Sequence, residues 1–549
     1  MRNIWLLFVL FFFYSYAHGQ SGVVEPGVES GNIQTRSSMG MNLNRVADWS
    51  SQFPFLNLMR WSREWYDWPR KSDQGIEVNE HGQLTGVAEG VIAGTVFLSN
   101  RKGYPLAYTH YIVRWQGKGS LDYRWCAKKV GRAHKGDRIQ VSHGSCLLTV
   151  LGFDPKDPIR NISVVPEKHI AAFDRGEVFN PDFIARIGDF RALRFMGWMQ
   201  TNNSEQKTWE QRPVPEDRSF AEQGVPFELM IQLANLVGAD PWFNIPHQAD
   251  DAYIKAFAQM VHKQLKPELT TYIEYSNEVW NSVFRQKRFA RKQAQQRWKQ
   301  KDGNAFYQWY GLRSAEVCDI WKGQVFTSQS QRVRCVMGAH AAWFGLEKAA
   351  LDCPLWKQAK GGCYRHGFDV LAIAAYFNGC LTGHKPEDPG VKYTREWLKL
   401  PDSGLTKAYE QALDGRHFPC KYDATAMENV YRYHADVAKK HGLELVAYEG
   451  GQHITNNMQN SQNEEALIKL HTGLNRDPRM YDLYQRNFAS WRKAGGGLFM
   501  HFSDVGRAGK HGSWGALEYV TQPTSSKWEA ILKQNSEPCW WPGCDGKRE

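Results

Sequence analysis

Seven strand-like apolar runs between residues 192 and 504 alternate with stretches of helical periodicity, and an eighth such run, SSMGMNLN, precedes them at 37–44. The seven are ALRFMGWM (192–199), DPWFNIP (240–246), TYIEYSN (271–277), VRCVMGAHA (333–341), FDVLAIAAYF (368–377), ELVAYEGG (444–451) and GGLFMHFSD (496–504). Between them, PFELMIQLANLVG, AYIKAFAQMVHKQL and ENVYRYHADVAKKHG space their apolar residues three and four apart, and the last ends on a glycine stop signal. Such alternation marks a parallel sheet, because parallel strands need a long return connection that a helix supplies. Eight repeats close into an α/β (β/α)8 TIM barrel. An open doubly wound sheet is the alternative. It would set a nucleotide site at a glycine-rich first turn, yet no GxGxxG follows an early strand.

The texture changes between about 77 and 166, where GQLTGV, AGTVFLS, YTHYIVRW, SLDYRWC, DRIQVSH, CLLTVLGF and ISVVP run as period-two segments punctuated by turn residues. This predicts an all-β, sandwich-like insertion after the first strand, with hairpins decorating the barrel as the alternative. The expected organisation is then the first strand and a helix-like FPFLNLMRWSREW within 20–76, the insertion over 77–166, the rest of the barrel over 167–535, and a short tail over 536–549.

Residues 1–19 pair one early positive charge with an apolar run and a small-residue end, the pattern of a cleaved secretory leader. A membrane anchor is the alternative, but no basic stop-transfer cluster follows, and no later segment reaches the roughly 18 apolar residues that a span needs. A secreted or periplasmic protein without stable membrane insertion is therefore expected. Ten cysteines in an exported chain form an even set, with Cys353–Cys363, Cys380–Cys420 and Cys539–Cys544 the first pairs to expect. No CxxC or zinc-finger spacing is present, so neither metal nor cofactor is expected. The formal net charge of +11 is scattered. Its densest patch, residues 284–301, reads as the solvated face of a long helix, and export argues against a nucleic-acid partner. An acidic polysaccharide fits the charge.

Active sites of closed barrels form at the C-terminal ends of the strands. Those ends carry Asn44; Arg194 and Trp198; Asn244 and His247; Asn277 and Glu278; His340; Tyr376; Glu449; and His501 and Asp504. Asn277 and Glu278 taken alone also suit a helix cap, and Asp504 suits a turn. Glu449 is harder to assign to structure. It sits between a strand and the Gly450–Gly451 pair, where the backbone needs unusual freedom or close approach. Glycosidases need two carboxyls flanking one bond, an acid of raised pKa and a partner that attacks or activates water. Strands four and seven bring Glu278 and Glu449 to one mouth, within reach of the roughly 5 to 5.5 Å separation of a retaining mechanism. No GxSxG elbow or HExxH offers a competing scheme.

SNE at the end of strand four and YEGG at the end of strand seven resemble the two signatures of the retaining glycoside hydrolases of clan A, the 4/7 superfamily of (β/α)8 barrels. The resemblance spans roughly residues 37–50 and 170–530 and assigns no single family. It implies Glu278 as acid/base, Glu449 as nucleophile and Asn277 as the holder of a sugar 2-hydroxyl. It also implies that Arg194 and Tyr376 hydrogen-bond the nucleophile and that Trp514 is a platform beneath the sugar. Among the 22 tryptophans, Trp198, Trp280 and Trp514 fall near strand mouths, while His247 and His340 are further candidates for substrate contact. A secreted retaining β-glycosidase acting within a polysaccharide chain is expected. The alternatives are a carbohydrate-binding or adhesion protein on a silent barrel, or a transglycosylase using the same residues.

Overall fold

The computed structural model describes residues 37–300, 303–356, 361–383, 387–456 and 464–544. The expected leader over 1–19 and the last residues of the tail lie outside them. Eight parallel strands, Met39–Asn42, Ala192–Arg194, Asp240–Ile245, Thr271–Tyr275, Val333–Ala339, Phe368–Phe377, Glu444–Gln452 and Phe499–His501, pair in sequence order and close on one another into a barrel. Helices fill the crossovers, among them Phe227–Val237, Asp251–Gln264, Arg285–Trp298, Ala305–Ile320 and Met427–Lys440. Local signals set their ends. The Asp250 side chain accepts from Tyr253 N to start one helix, and Gly238 at φ 70° stops another. The basic stretch at 284–301 is indeed helical over Arg285–Trp298.

Alternation along each strand divides its side chains between two cores. Trp242, Tyr272, Val336, Val370, Val446, Tyr448 and Met500 fill the barrel interior, while their neighbours in sequence pack outward against the helices. The interior is thus a solid plug, and only the mouth remains for chemistry.

Two expectations about the first crossover need correction. FPFLNLMRWSREW is not an α-helix; it contributes one 3-10 turn, Leu58–Trp61. Phe53, Phe55, Leu58 and Trp61 are all buried and only Arg63 and Glu64 near the end are exposed, so the segment has no solvent stripe of helical spacing, and the Asn57 side chain instead accepts from Met59 N and Val164 N. The inserted sheet also takes in Tyr66–Asp67, ahead of the expected start at 77. The inserted unit is all-β as expected, a six-stranded antiparallel sheet with a separate two-stranded one, Ile76–Val78 with Leu84–Val87. Its long hairpin, Gly119–Ala133 with Gly136–Phe153, pairs Ala93–Asn100 near one end and His110–Gln116 near the other. Tyr123 lies opposite Leu148, yet its hydroxyl donates to Asp137 Oδ2 at 3.1 Å. On a flat strand Leu148 and Asp137 would stand roughly 35 Å apart, so the sheet is folded over on itself.

Five disulfides are formed: the three expected, plus Cys126–Cys146 across the long hairpin and Cys318–Cys335 between a helix and the fifth barrel strand. No helix among the described residues is long and apolar enough to cross a membrane.

Candidate active site

Arg194, the last residue of strand two, is fully buried at the top of the interior plug. Its Nη1 donates to Glu449 Oε1 at 2.8 Å and to Asn42 Oδ1 at 3.1 Å. Its Nη2 donates to Glu274 Oε2 at 2.8 Å and to Asn277 Oδ1 at 2.9 Å. The guanidinium lies between the rings of Trp242 and Tyr448, 5.6 and 5.1 Å from their centroids. A buried cation is tolerated only when paired and hydrogen-bonded, and here one arginine binds two carboxylates and two amides.

Strand seven supplies the next two groups through an irregularity. Ala447 pairs with Ile373 and Glu449 with Ala374, so Tyr448 is an extra residue, a bulge. Strict alternation would send adjacent side chains to opposite faces; the bulge lets Tyr448 and Glu449 both reach the mouth. Glu449 Oε2 accepts from the Tyr376 hydroxyl at 3.0 Å, and Glu278 Oε1 accepts from the Tyr448 hydroxyl at 3.2 Å. The two glycines that follow are required. A Cβ on Gly450 would stand 2.3 Å from the Phe499 ring, and Gly451 has φ 124°.

Glu278 is presented by a strained turn. Ser276 at φ 63° and Glu278 at φ 42° both occupy the left-handed region, which non-glycine residues seldom adopt. The helix-cap reading of Asn277 and Glu278 is excluded, because the next helix begins only at Arg285 and Phe284 precedes it as cap. Asn281 Nδ2 donates to Glu278 Oε2 at 2.9 Å and fixes the carboxyl. Asn277 is held between Arg194 and Asn202 Oδ1, the latter accepting from its Nδ2 at 3.0 Å.

The two carboxyls differ in their partners. Burial, reinforced by the nearby negative charge of Glu449, pushes Glu278 up to about 8. Burial also raises Glu449, but the Arg194 guanidinium and the Tyr376 hydroxyl oppose that rise. Arg194 already sits between Glu274 and Glu449, so a charge on Glu278 would add a second net negative charge to the site. The proton of the pair therefore belongs on Glu278 and the charge on Glu449.

Of the remaining expected residues, Trp514 stands at the mouth, its ring 6.0 Å from Phe502 and its Nε1 donating to His453 Nδ1 at 3.3 Å. Phe502 and His453 in turn flank Tyr376. His340 packs edge-on against Trp280 at 4.2 Å, beyond Glu278, and burial lowers it to about 4. Two residues are elsewhere. Trp198 is fully buried against Phe55, Phe183 and Phe195, because strand two ends at Arg194 and the chain then turns outward. His247 is buried with its ring against Phe289 of the helix after strand four, and burial lowers it to about 4. Asp504 serves the turn, with Oδ1 accepting from Asn44 N at 3.0 Å. Sequence reading missed Glu274, Asn42, Tyr448, Phe502 and His453. Glu274 had a signal: a charge in the middle of the apolar TYIEY strand, on the inward register of Tyr272, requires a buried cation. Among the described residues no cluster of three or more histidine, cysteine, aspartate or glutamate side chains is arranged to hold a metal.

No family model and no curated protein matches the chain. Among solved structures it is similar to a family 51 arabinofuranosidase from Xanthomonas axonopodis pv. citri, with a TM-score of 0.39 and 10% identity over 64% of this chain and 65% of that one. It is also similar to a modular endo-β-1,4-mannanase of glycoside hydrolase family 26 from Cellulomonas fimi, with a TM-score of 0.32 and 12% identity over 65% and 66%. A broad-specificity endoglucanase of glycoside hydrolase family 5 from Clostridium acetobutylicum gives a TM-score of 0.34 and 11% identity over 64% and 90%. The chain spans slightly less than two thirds of the length of the first two.

Proposed function

We propose that the protein is an exported retaining β-glycosidase of the clan A type that cleaves within a polysaccharide chain. The observation that carries this reading is the asymmetry of the pair: Glu449 is bound by a buried arginine and a tyrosine, whereas Glu278 is raised to about 8 and meets only neutral donors. A Glu449 oxygen attacks the anomeric carbon as the Glu278 proton passes to the departing glycosidic oxygen, leaving a covalent glycosyl-enzyme. Glu278, now charged, takes a proton from water. That water's oxygen bonds to the anomeric carbon and releases Glu449. Arg194 and Tyr376 orient the nucleophile and hold its charge, and Asn277 lies beside it where a 2-hydroxyl would bind.

Aromatic faces on both sides of the pair support attack within a chain. Trp280, His340 and the exposed Trp343 lie beyond strands four and five, while Phe502, Trp514 and the exposed Trp49 lie beside strands eight and one. Five disulfides support an oxidising compartment. The test is Glu449→Ala, which should abolish turnover and, with added azide, regain it with an inverted glycosyl azide as product. Full activity of Glu449→Ala sinks the assignment. Glu278→Ala should spare substrates with good leaving groups, and an equal loss on activated and unactivated glycosides would remove its role as acid.

A further inference from the structure

A cavity of about 800 Å³ opens between the loop after strand eight and the inserted sheet. Trp49, Arg101, Phe502, Arg507, Lys510 and Trp514 are among the residues that line it. Phe502 and Trp514 belong to the aromatic wall beside Tyr376, so the cavity continues the mouth of the barrel. In the closed strand order, strand eight lies across the barrel from strand four, which carries Glu278. A sugar in the cavity therefore occupies the side away from the acid, the glycone side.

The charge of the lining is one-sided. Arg101, Arg507 and Lys510 line it together with His511, and no aspartate or glutamate among the described residues does. Arg101 and Arg507 both lie against the Tyr104 ring, 5.7 and 5.8 Å from its centroid; Arg476 lies there too, at 5.7 Å, and takes up the nearby carboxylate of Glu518 at 2.6 Å, which leaves the other two guanidinium groups facing the cavity. Both arginines donate to backbone carbonyls: Arg101 Nη1 to Ala508 O, and Arg507 Nη1 to Trp49 O and Ser99 O. Arg507 Nε is buried and has no hydrogen-bond partner among the described residues. Cations gathered beside indole faces, with donors left over, match a sugar ring that carries an anion.

We infer that this cavity is a glycone-side subsite for an anionic sugar residue bearing a carboxylate or a sulfate ester. The inference rests on the glycosidase reading and names its substrate class. It also gives the insertion a role, because Ser99, Asn100, Arg101, Gly144 and Ser145 form one wall of the subsite.

The test uses full-length Glu449→Ala, which binds without turnover, and two matched pairs of β-linked oligosaccharides. One pair is a uronate-containing oligomer and its carboxyl-reduced form; the other is a sulfated oligomer and its desulfated form. Calorimetry at low salt should show at least one anionic member binding about tenfold tighter than its neutral counterpart, a gap that narrows as salt rises. The pair that shows it identifies the anion. Adding Arg101→Ala and Lys510→Ala should close the gap, and Arg101→Lys should retain part of it, with circular dichroism confirming the fold of each variant. Equal affinity within both pairs, no binding of any member, or a gap that survives the double substitution overturns the inference. Wild-type cleavage of a neutral glycan without any gap leaves the glycosidase standing and removes the anionic subsite. A gap without cleavage of any glycan does the reverse.

Discussion

The Tyr448 hydroxyl donates to Glu278 Oε1 at 3.2 Å, joining the residue just before one carboxyl of the pair to the other carboxyl, contributed from strand four. This donor favours the charged form of Glu278, so losing it should raise the Glu278 pKa still further above the ordinary range. In Tyr448→Phe the alkaline limb of kcat/KM should move up by about half to one pH unit, the worth of one such hydrogen bond. A pH profile on an unactivated glycoside checks it, and a limb that stays in place or moves down removes the link. Because the two carboxyls titrate as a pair, the limb reports a macroscopic value.

Arg194 should govern the opposite limb. Its guanidinium holds Glu449 charged against burial, so Arg194→Met should raise the Glu449 pKa and shift the acid limb of kcat/KM upward. Loss of a preorganised partner of this kind typically costs about 10²–10³ in kcat. The profile separates this from damage to the fold, which would lower the rate at every pH without moving the limb.

Glu274→Ala tests the other half of that arrangement. Glu274 shares Arg194 with Glu449 and also accepts from Trp242 Nε1 at 2.9 Å and Asn244 Nδ2 at 2.7 Å. Removing one partner of a buried pair usually costs about 3–5 kcal/mol, against about 1 kcal/mol or less at a surface. Denaturant melts of the full chain measure the difference, and a loss in the surface range would mean that Glu449 alone suffices to hold the guanidinium.

The barrel was legible because its strands are apolar on both faces and end on polar residues, so that FDVLAIAAYF, for instance, coincides with the strand Phe368–Phe377. The 53–65 segment misled for the opposite reason: buried between barrel and insertion except at Arg63 and Glu64, it carries apolar residues without the polar stripe that separates a helix from irregular chain. At the site, Glu278, Glu449, Arg194 and Tyr376 stand at strand ends in the sequence, and the resemblance implied that the last two bond Glu449, as they do. Tyr448 could not be read in this way, because alternation from Val446 makes it look like interior core, and the bulge that brings Glu449 to the same side follows from pairing with strand six and leaves no mark in AYEGG. Trp198 misled because the run ALRFMGWM continues past the last paired residue, Arg194, and a tryptophan near a strand end looks the same whether the chain turns toward the mouth or into the core.

Disulfide contributions should scale with the loops they close. Cys380–Cys420 spans 40 residues and Cys539–Cys544 spans 5. Loop-closure entropy in the unfolded chain gives about 4 kcal/mol for the first and about 2 kcal/mol for the second. Paired cysteine-to-alanine variants, compared by equilibrium denaturation, should preserve that order. An inverted order would place the second disulfide's contribution in native packing around Trp541, which lies in the barrel-interior core with Cys544.

The pH dependence of stability provides a readout of Glu278 that needs no substrate. Its folded value of about 8 lies above the ordinary 4.5, so between those values the folded chain binds a proton that the unfolded chain releases. Stability from this group is therefore fully present below about pH 4.5 and is lost as the pH rises through about 8. Glu278→Gln is neutral throughout and escapes that loss. The variant's Tm relative to wild type should be lowest near pH 4.5, rise steadily across the window, and level off above pH 8. Thermal melts at fixed ionic strength measure the difference directly. A constant offset between the two proteins across the range would show that Glu278 is charged in the folded state at neutral pH, and it could then not donate the proton that glycoside cleavage requires.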